Sequence, residues 1–179
     1  MRSQRRVLGC SRIGKTRCHT PPRVNSSGAR TDIMSKTFKT AEQLGLKKKH
    51  YCALVKTLVE LESGRIKHLP NPSTRTGYDH DSETVGRFNM SFWCSSNSTC
   101  GTICCIGGTA EIVGGLPMLA LSDLADSRAK LGNSGLHNLF YPYEAGLDMW
   151  DDITPKQACR ALRNYLTCGR PKWKKAMKG

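Results

Sequence analysis

The stretch Cys100–Gly115, which reads CGTICCIGGTAEIVGG, decides the fold that the sequence predicts. Read as a helix over 102–113, it places apolar side chains at spacings of three, four and three, the period of a core-facing helix. These side chains are Ile103, Ile106, Ala110 and Val113. The other positions are small or apolar except Glu111, so we expect a helix that is buried on all sides. Gly107 and Gly108 would let a neighbouring backbone approach closely.

Helical patterns also flank this central stretch. The folded part is predicted to begin at Thr40, where Gln43 completes a capping box, and the helical pattern ends at Ser63–Gly64. Near the carboxyl end, Thr154–Gln157 provides a cap and a proline at the first helical position, and Gly169 ends that helix. The sequence therefore predicts a mainly α fold, a small single-domain protein built around a buried central helix.

One small β element is predicted beside the central helix. Phe88, Met90 and Phe92 alternate with polar residues, a pattern typical of a half-buried strand, so we expect a short strand or hairpin over 87–93.

A lysine cluster allows two interpretations of the first helical pattern. Gly45 interrupts the pattern just before Lys47, Lys48 and Lys49, as in a helix-turn-helix that presents cations to DNA. The segment before Gly45 is short for such a motif. One amphipathic helix with a solvated lysine cluster is the interpretation that we favour.

The first 33 residues differ from the rest in composition. They hold eight basic residues against one acid, so half of the formal net charge of +14 lies there. A segment so basic and so poor in apolar residues is predicted not to fold alone. It is interpreted as a disordered tail, as a transit peptide, or as upstream sequence before a start at Met34. Residues 34–179 are then a single globular domain.

This segment contains a formal match to the phosphate-binding loop, at Gly9–Thr16. The motif works only between a buried strand and a helix, because the helix aims backbone amides at the phosphates. A short arginine-rich lead precedes it and Pro21–Pro22 blocks a following helix, so we do not predict a nucleotide site.

The chain has nine cysteines, an odd number, and no apolar leader is seen in the sequence. Both features favour a reducing cytoplasm in which most of the thiols are free. Cys94, Cys100, Cys104 and Cys105 are candidate zinc ligands, although their spacing is unusual for zinc. Cys100, at the predicted helix start, is the candidate nucleophile, with His137 as its base. Cys105 is predicted to be inert inside the helix.

Three pieces of the chain carry a resemblance to a known family. They are Phe88-Asn89-Met90 with Trp93, Cys100-Gly101-Thr102 with Cys105-Ile106-Gly107-Gly108 and Ala110, and Leu139-Phe140-Tyr141-Pro142 with the predicted helix that runs from Ile153-Thr154-Pro155 to Trp173. Over about residues 40–173 the chain resembles an uncharacterised family of short phage and bacterial proteins with a Cys-Gly-Thr-x-x-Cys-Ile-x-Gly-x-Ala core. Cys104 and Thr109 depart from the pattern. The family has no established activity, so the resemblance implies no catalytic residue.

The sequence favours a non-enzymatic, phage-type accessory protein of the cytoplasm, meaning the host cytoplasm for a phage gene. Its expected partner is nucleic acid or a phage or host protein, without a membrane and without a cofactor. The candidate nucleic-acid-binding residues are Lys47, Lys48, Lys49, Lys172, Lys174 and Lys175. The alternative is a cysteine- or zinc-dependent enzyme or zinc-binding module that uses the four cysteines.

Overall fold

The structure, a computed structural model, describes residues 37–70, 85–97, 101–147 and 150–178. All of them belong to one compact unit, Met34–Gly179. The helices in these ranges are α1 (Lys48–Glu62), α2 (Ile106–Gly114), α3 (Ala120–Lys130), α4 (Gly135–Phe140), α5 (Pro155–Cys168) and α6 (Trp173–Met177). The strands are β1 (Lys67–His68), β2 (Val85–Phe88), β3 (Cys94–Asn97) and β4 (Gly101–Cys104). The predicted mainly α fold with a small β element is confirmed.

The four strands form one mixed sheet in the order β1-β2-β4-β3. β1 and β4 both run parallel to β2, whereas β3 runs antiparallel to β4. In the antiparallel pair, Cys94 lies directly opposite Cys104. The sheet therefore places two thiols side by side at the point where β4 leads into α2.

The predicted helix over 102–113 is wrong in its first part, because Gly101–Cys104 forms β4 and α2 begins only at Ile106. Thr102 and Ile103 are β-branched, and β4 has a hydrogen-bonded strand on each side. A short apolar run cannot be assigned to helix or strand by periodicity alone, so these partners decide its conformation. The buried central helix itself is confirmed, and residues from Ile106 through Glu111 are all buried.

The predicted strand over 87–93 also differs, since β2 ends at Phe88 and β3 begins at Cys94. The reason is Asn89, whose side chain is completely buried. Its Oδ1 accepts a hydrogen bond from the Ser91 N–H at 2.8 Å, and its Nδ2 donates to the Leu69 carbonyl at 2.8 Å. This local bond turns the chain immediately after the strand.

The first helical pattern forms a turn followed by one helix. The Thr40 N–H donates to Gln43 Oε1 and the Gln43 N–H donates to Thr40 Oγ1, so the predicted capping pair is present, although α1 begins only at Lys48. Gly45 makes the break with a φ of +64°. α1 ends at the predicted Ser63. No helix precedes α1 within the described residues, which agrees with one amphipathic helix rather than a helix-turn-helix.

Glycines let neighbours pack tightly against α2. A Cβ on Gly108 would lie 1.6 Å from the backbone oxygen of Trp93, and a Cβ on Gly107 would lie 2.3 Å from the Trp93 ring. At the other end, a Cβ on Gly114 would lie 2.5 Å from the Cβ of Ala53 in α1. The predicted close approach is therefore confirmed. At Gly107 the neighbour is the side chain of Trp93, and at Gly108 it is the backbone of Trp93.

The described residues at the carboxyl end form two helices, α5 and α6. α5 has the predicted capping box between Thr154 and Gln157 and ends at Gly169, whose φ is +79°. The residues beyond Pro171 then form α6, whose Trp173 is completely buried. Among the helices of the described ranges, none combines the length and the apolar character needed to cross a membrane.

Candidate nucleic-acid interface

The segment that follows α5 is held firmly on the body of the protein. The Trp173 Nε1–H donates a hydrogen bond of 2.7 Å to the Asn138 carbonyl in α4. The Asn164 side chain in α5 donates a hydrogen bond of 3.0 Å to the Pro171 carbonyl. A buried indole with its N–H satisfied is a strong anchor, so the positions of the residues around Trp173 are fixed by the fold.

The other face of this segment carries a set of exposed cations, here called the C-terminal basic surface. It consists of Arg170, Lys172, Lys174, Lys175 and Lys178. Trp173 and Ala176 point the opposite way and are buried, so α6 is amphipathic despite its short length. The Ala176 carbonyl also accepts a hydrogen bond of 2.8 Å from Arg160 in α5. Lys174 and Lys175 are therefore displayed by a helix whose inner face is docked, and the other three cations lie in the segments just before and after it.

An open groove of about 620 Å³ lies beside this surface. It is lined by Gly132, Asn133, Ser134, Gly135, Asn138, Glu144, Gly169, Arg170, Pro171 and Lys172. A second hollow of about 180 Å³ shares Asn133, Gly169 and Arg170 with the groove and adds Lys39 and Gln43. The side chains of the lining supply amide, hydroxyl and cationic groups and a single carboxylate, a mixture that suits a polar and negatively charged ligand.

Lys172 has an unusual backbone at the edge of this groove. Its φ of +51° and ψ of +54° place it in the left-handed region, and Leu119 is the only other described non-glycine residue with a positive φ. An L side chain in this region costs about 1–2 kcal/mol. Such strain is found at functional sites more often than elsewhere, because the surrounding structure must be selected to hold it.

A second basic cluster lies at the start of α1. Lys47, Lys48 and Lys49 are all exposed, and the first turn of α1 has neither an acidic residue nor a side-chain cap. Cations at the amino end of a helix face the positive end of its dipole, which is unfavourable. The next residue, His50, is buried, and its pKa is lowered first by burial and then by Lys49 and Lys47.

The thiols form a buried group at the β4–α2 junction. The Sγ atoms of Cys94 and Cys104 are 3.2 Å apart. The pKa of Cys104 is raised by its hydrogen bond with Cys94 and then by burial. Cys105 is the N-cap of α2 rather than a residue inside the helix as predicted, but burial raises its pKa to about 12. The Cys104 and Cys105 thiols therefore remain protonated at neutral pH, which makes them poor nucleophiles.

The predicted zinc and nucleophile sets are described only in part. Cys100 lies outside the described residues. His137 packs its ring against Tyr141 at 4.5 Å, and its Nε2 lies 3.7 Å from the Asp126 carboxylate. Within the described ranges, no group of three or more His, Cys, Asp or Glu side chains is placed to hold a metal ion. The structure thus places Cys94, Cys104 and Cys105 at one junction of strand and helix, while the position of Cys100 relative to them is not described.

The predicted lysines at 172, 174 and 175 are all exposed, and Lys172 lines the groove together with residues that the sequence reasoning did not select. Asn133 lies in the turn after α3, Asn138 in α4 and Arg170 after α5, so the three meet only in the folded protein. The exposed Tyr143, next to Glu144 in the groove lining, was also missed. The only local signal for Tyr143 in the sequence was its position directly after Pro142, at the end of the apolar run that includes Phe140 and Tyr141.

Comparison with known proteins adds no assignment: no protein-family model matches the chain, and neither the curated proteins nor the solved structures contain a significant match.

Proposed function

We propose that this protein is a non-enzymatic nucleic-acid-binding protein and that its C-terminal basic surface contacts the phosphate backbone. The observation that carries the proposal is the display of five exposed cations, from Arg170 to Lys178, on a segment anchored by the buried Trp173. An anchored set of cations loses little conformational freedom on binding, which favours association with a regularly spaced polyanion.

These five cations are available to an external anion. The ion pairs among the described residues involve Arg65, His137 and Arg163 as the basic partners, so none of the five is neutralised in that way. Basic residues without internal partners that cluster on one face are the electrostatic signature of nucleic-acid binding. The groove at the edge of the surface supplies hydrogen-bonding groups in addition to charge.

The lysines at the start of α1 support the same proposal. Three exposed cations at the positive end of a helix dipole disfavour the helix, so their placement is better explained by a bound anion than by stability. Lys39 and Gln43, just upstream, line the hollow next to the groove. We include Lys47, Lys48 and Lys49 as secondary phosphate contacts.

The resemblance to short phage and bacterial proteins suggests the setting. In this proposal the protein is an accessory protein of phage type that acts in the cytoplasm of the host. The nucleophile and zinc interpretations receive less support from Cys104 and Cys105, because the raised pKa values of these two thiols disfavour the thiolate form that both kinds of chemistry need.

The test is equilibrium binding of the full chain to a fluorescent oligonucleotide, comparing two double variants that remove the same charge. Lys174→Gln/Lys175→Gln alters the C-terminal basic surface, whereas Lys56→Gln/Lys67→Gln alters exposed lysines elsewhere. We expect the first variant to weaken binding by about tenfold, equivalent to about 1.4 kcal/mol, and the second by much less. Equal affinities for the two variants would remove the C-terminal basic surface from the proposal.

A further inference from the structure

Four ring side chains form a cluster beside the groove, here called the ring cluster. They are His137, Tyr141, Tyr143 and Trp150. The rings of Tyr141 and Tyr143 are 15° from parallel with centroids 6.3 Å apart, and the His137 ring is 23° from parallel with Tyr143 at 6.4 Å. Trp150 meets Tyr143 edge-on, at 5.3 Å and 75°. The orientation of Tyr143 is thus fixed by contacts with other rings.

Although its neighbours hold it, Tyr143 is 69% exposed. The ring cluster as a whole sits at the rim of the fold, because its other three members are only partly buried. Tyr141 is tied down by a hydrogen bond of 3.2 Å between its hydroxyl and Ser122. A large, oriented and exposed ring is a ready surface for stacking by a flat ligand.

The ring cluster is adjacent to the C-terminal basic surface. Glu144 follows Tyr143 and Asn138 follows His137, and both of these neighbours line the groove together with Arg170 and Lys172. The short 3-10 turn Tyr143–Ala145 also packs against α6. The exposed Tyr143 therefore lies on a turn that borders both α6 and a groove lined in part by Arg170 and Lys172.

We propose that the ligand is single-stranded nucleic acid, with a base stacked on Tyr143 and the neighbouring phosphates on Arg170 and Lys172. This inference rests on the proposed nucleic-acid binding and names its substrate class. Stacking platforms beside a positive groove are the usual means of holding single strands, whose base faces are accessible, whereas a duplex hides them. Glu144 repels a phosphate at its own position, which favours a base or sugar there.

The experiment measures the binding of one labelled strand of about 16 nucleotides, and of the same strand annealed to its complement, to three full-length proteins. These are the wild type, Tyr143→Ala, and Tyr143→Phe, which keeps the ring. We expect the wild type to prefer the single strand. Tyr143→Ala should weaken single-strand binding by about tenfold and leave duplex binding unchanged, while Tyr143→Phe should stay within about twofold. Because Tyr143 is exposed, both variants should keep the thermal unfolding midpoint of the wild type.

The outcomes separate the two proposals. Wild-type protein that binds duplex as tightly as the single strand, with no effect of Tyr143→Ala, would overturn the single-strand inference and leave nucleic-acid binding in place. Binding of neither form would overturn both. Equal loss for Tyr143→Ala and Tyr143→Phe would also contradict stacking, because only the first variant removes the ring.

Discussion

The indole of Trp93 donates a hydrogen bond of 2.7 Å to the carboxylate of Glu111, which lies buried in α2. The same carboxylate accepts the backbone N–H groups of Leu119 at 3.0 Å and Leu121 at 2.8 Å, so it caps the start of α3. One side chain therefore joins the segment before β3, the central helix and α3. Burial raises the pKa of Glu111, and these three hydrogen bonds only partly oppose that effect.

The raised pKa of Glu111 predicts a pH dependence of the free energy of unfolding. Since the folded state holds this proton more tightly than the unfolded state, the contribution is fully present below the ordinary pKa of 4.5 and is lost as the pH rises through the folded-state value. We therefore expect the difference in free energy of unfolding, wild type minus Glu111→Gln, to decrease as the pH rises through this range. Urea unfolding of both proteins at a series of pH values measures the difference. A difference that is constant or that increases with pH would contradict it.

Gly108→Ala is predicted to destabilise the protein by about 3 kcal/mol or more, because overpacking against a fixed backbone is among the most costly core changes. The new Cβ would lie 1.6 Å from the Trp93 carbonyl oxygen, which is backbone and cannot rotate away. Ser127→Ala, at an exposed position of α3, serves as the control and should change stability by less than about 0.5 kcal/mol. Unfolding by urea measures both, and a cost below that of the control would show that α2 and Trp93 do not pack as described.

Prolonged oxidation with excess diamide, a thiol oxidant that is itself reduced to the hydrazine, is predicted to join Cys94 and Cys104 in a disulfide. The reaction should be slow, because both side chains are buried and react only when the site opens transiently. Their Sγ atoms are 3.2 Å apart on paired strands, and adjacent strands have the Cα separation that a disulfide needs. Each thiol loses its proton and one electron as the S–S bond forms. Peptide mapping should find this link, and the oxidised protein should be more stable by about 2 kcal/mol. Cys94→Ser is the control, and a mapped link to another cysteine in preference to Cys104 would contradict the pairing.

Lys172→Gly separates the role of this residue in stability from its role in binding. Glycine adopts a positive φ without strain, so the variant should be more stable by up to about 1 kcal/mol while losing a phosphate contact. Lys172→Arg keeps both the charge and the strain, and should match the wild type in stability and in affinity. Thermal unfolding measures the change in stability, and oligonucleotide binding measures the change in affinity. Weaker binding by both variants to the same extent would mean that the charge at position 172 is not what the ligand recognises.

The elements that the sequence predicted well are those determined by neighbours in the chain. The capping box at Thr154 and the helix ends at Ser63 and Gly169 each depend on residues only a few positions apart. β4 was mistaken for helix because its conformation depends on β2 and β3, partners that a local pattern does not include. The turn at Asn89 combines a local hydrogen bond with Ser91 and a contact with the distant Leu69, and a local pattern includes only the first of these.

The sequence predicted the charged residues of the candidate site but not the groove beside them. The lysines after Pro171 were visible in the sequence, but the groove forms where the turn after α3 meets the turn after α5. A Cβ on Gly135 would lie 2.2 Å from the Gly169 carbonyl oxygen, so the first residue of α4 is in direct contact with the turn after α5. No spacing in the sequence indicates this meeting, and the ring cluster beside it arises in the same way.

The salt dependence of binding tests the central claim most directly. It is measured for the full chain with a single-stranded oligonucleotide, as the slope of log K against log salt concentration, for the wild type and two quadruple variants. One replaces Arg170, Lys172, Lys174 and Lys175 with Gln, and the other replaces Lys56, Lys67, Lys130 and Lys156 with Gln. Each phosphate contact on a single strand contributes about 0.7 to the slope. If the C-terminal basic surface binds the backbone, the first variant will have a slope shallower by about 2 to 3, and the second will keep the wild-type slope. Equal slopes for all three proteins would contradict the account.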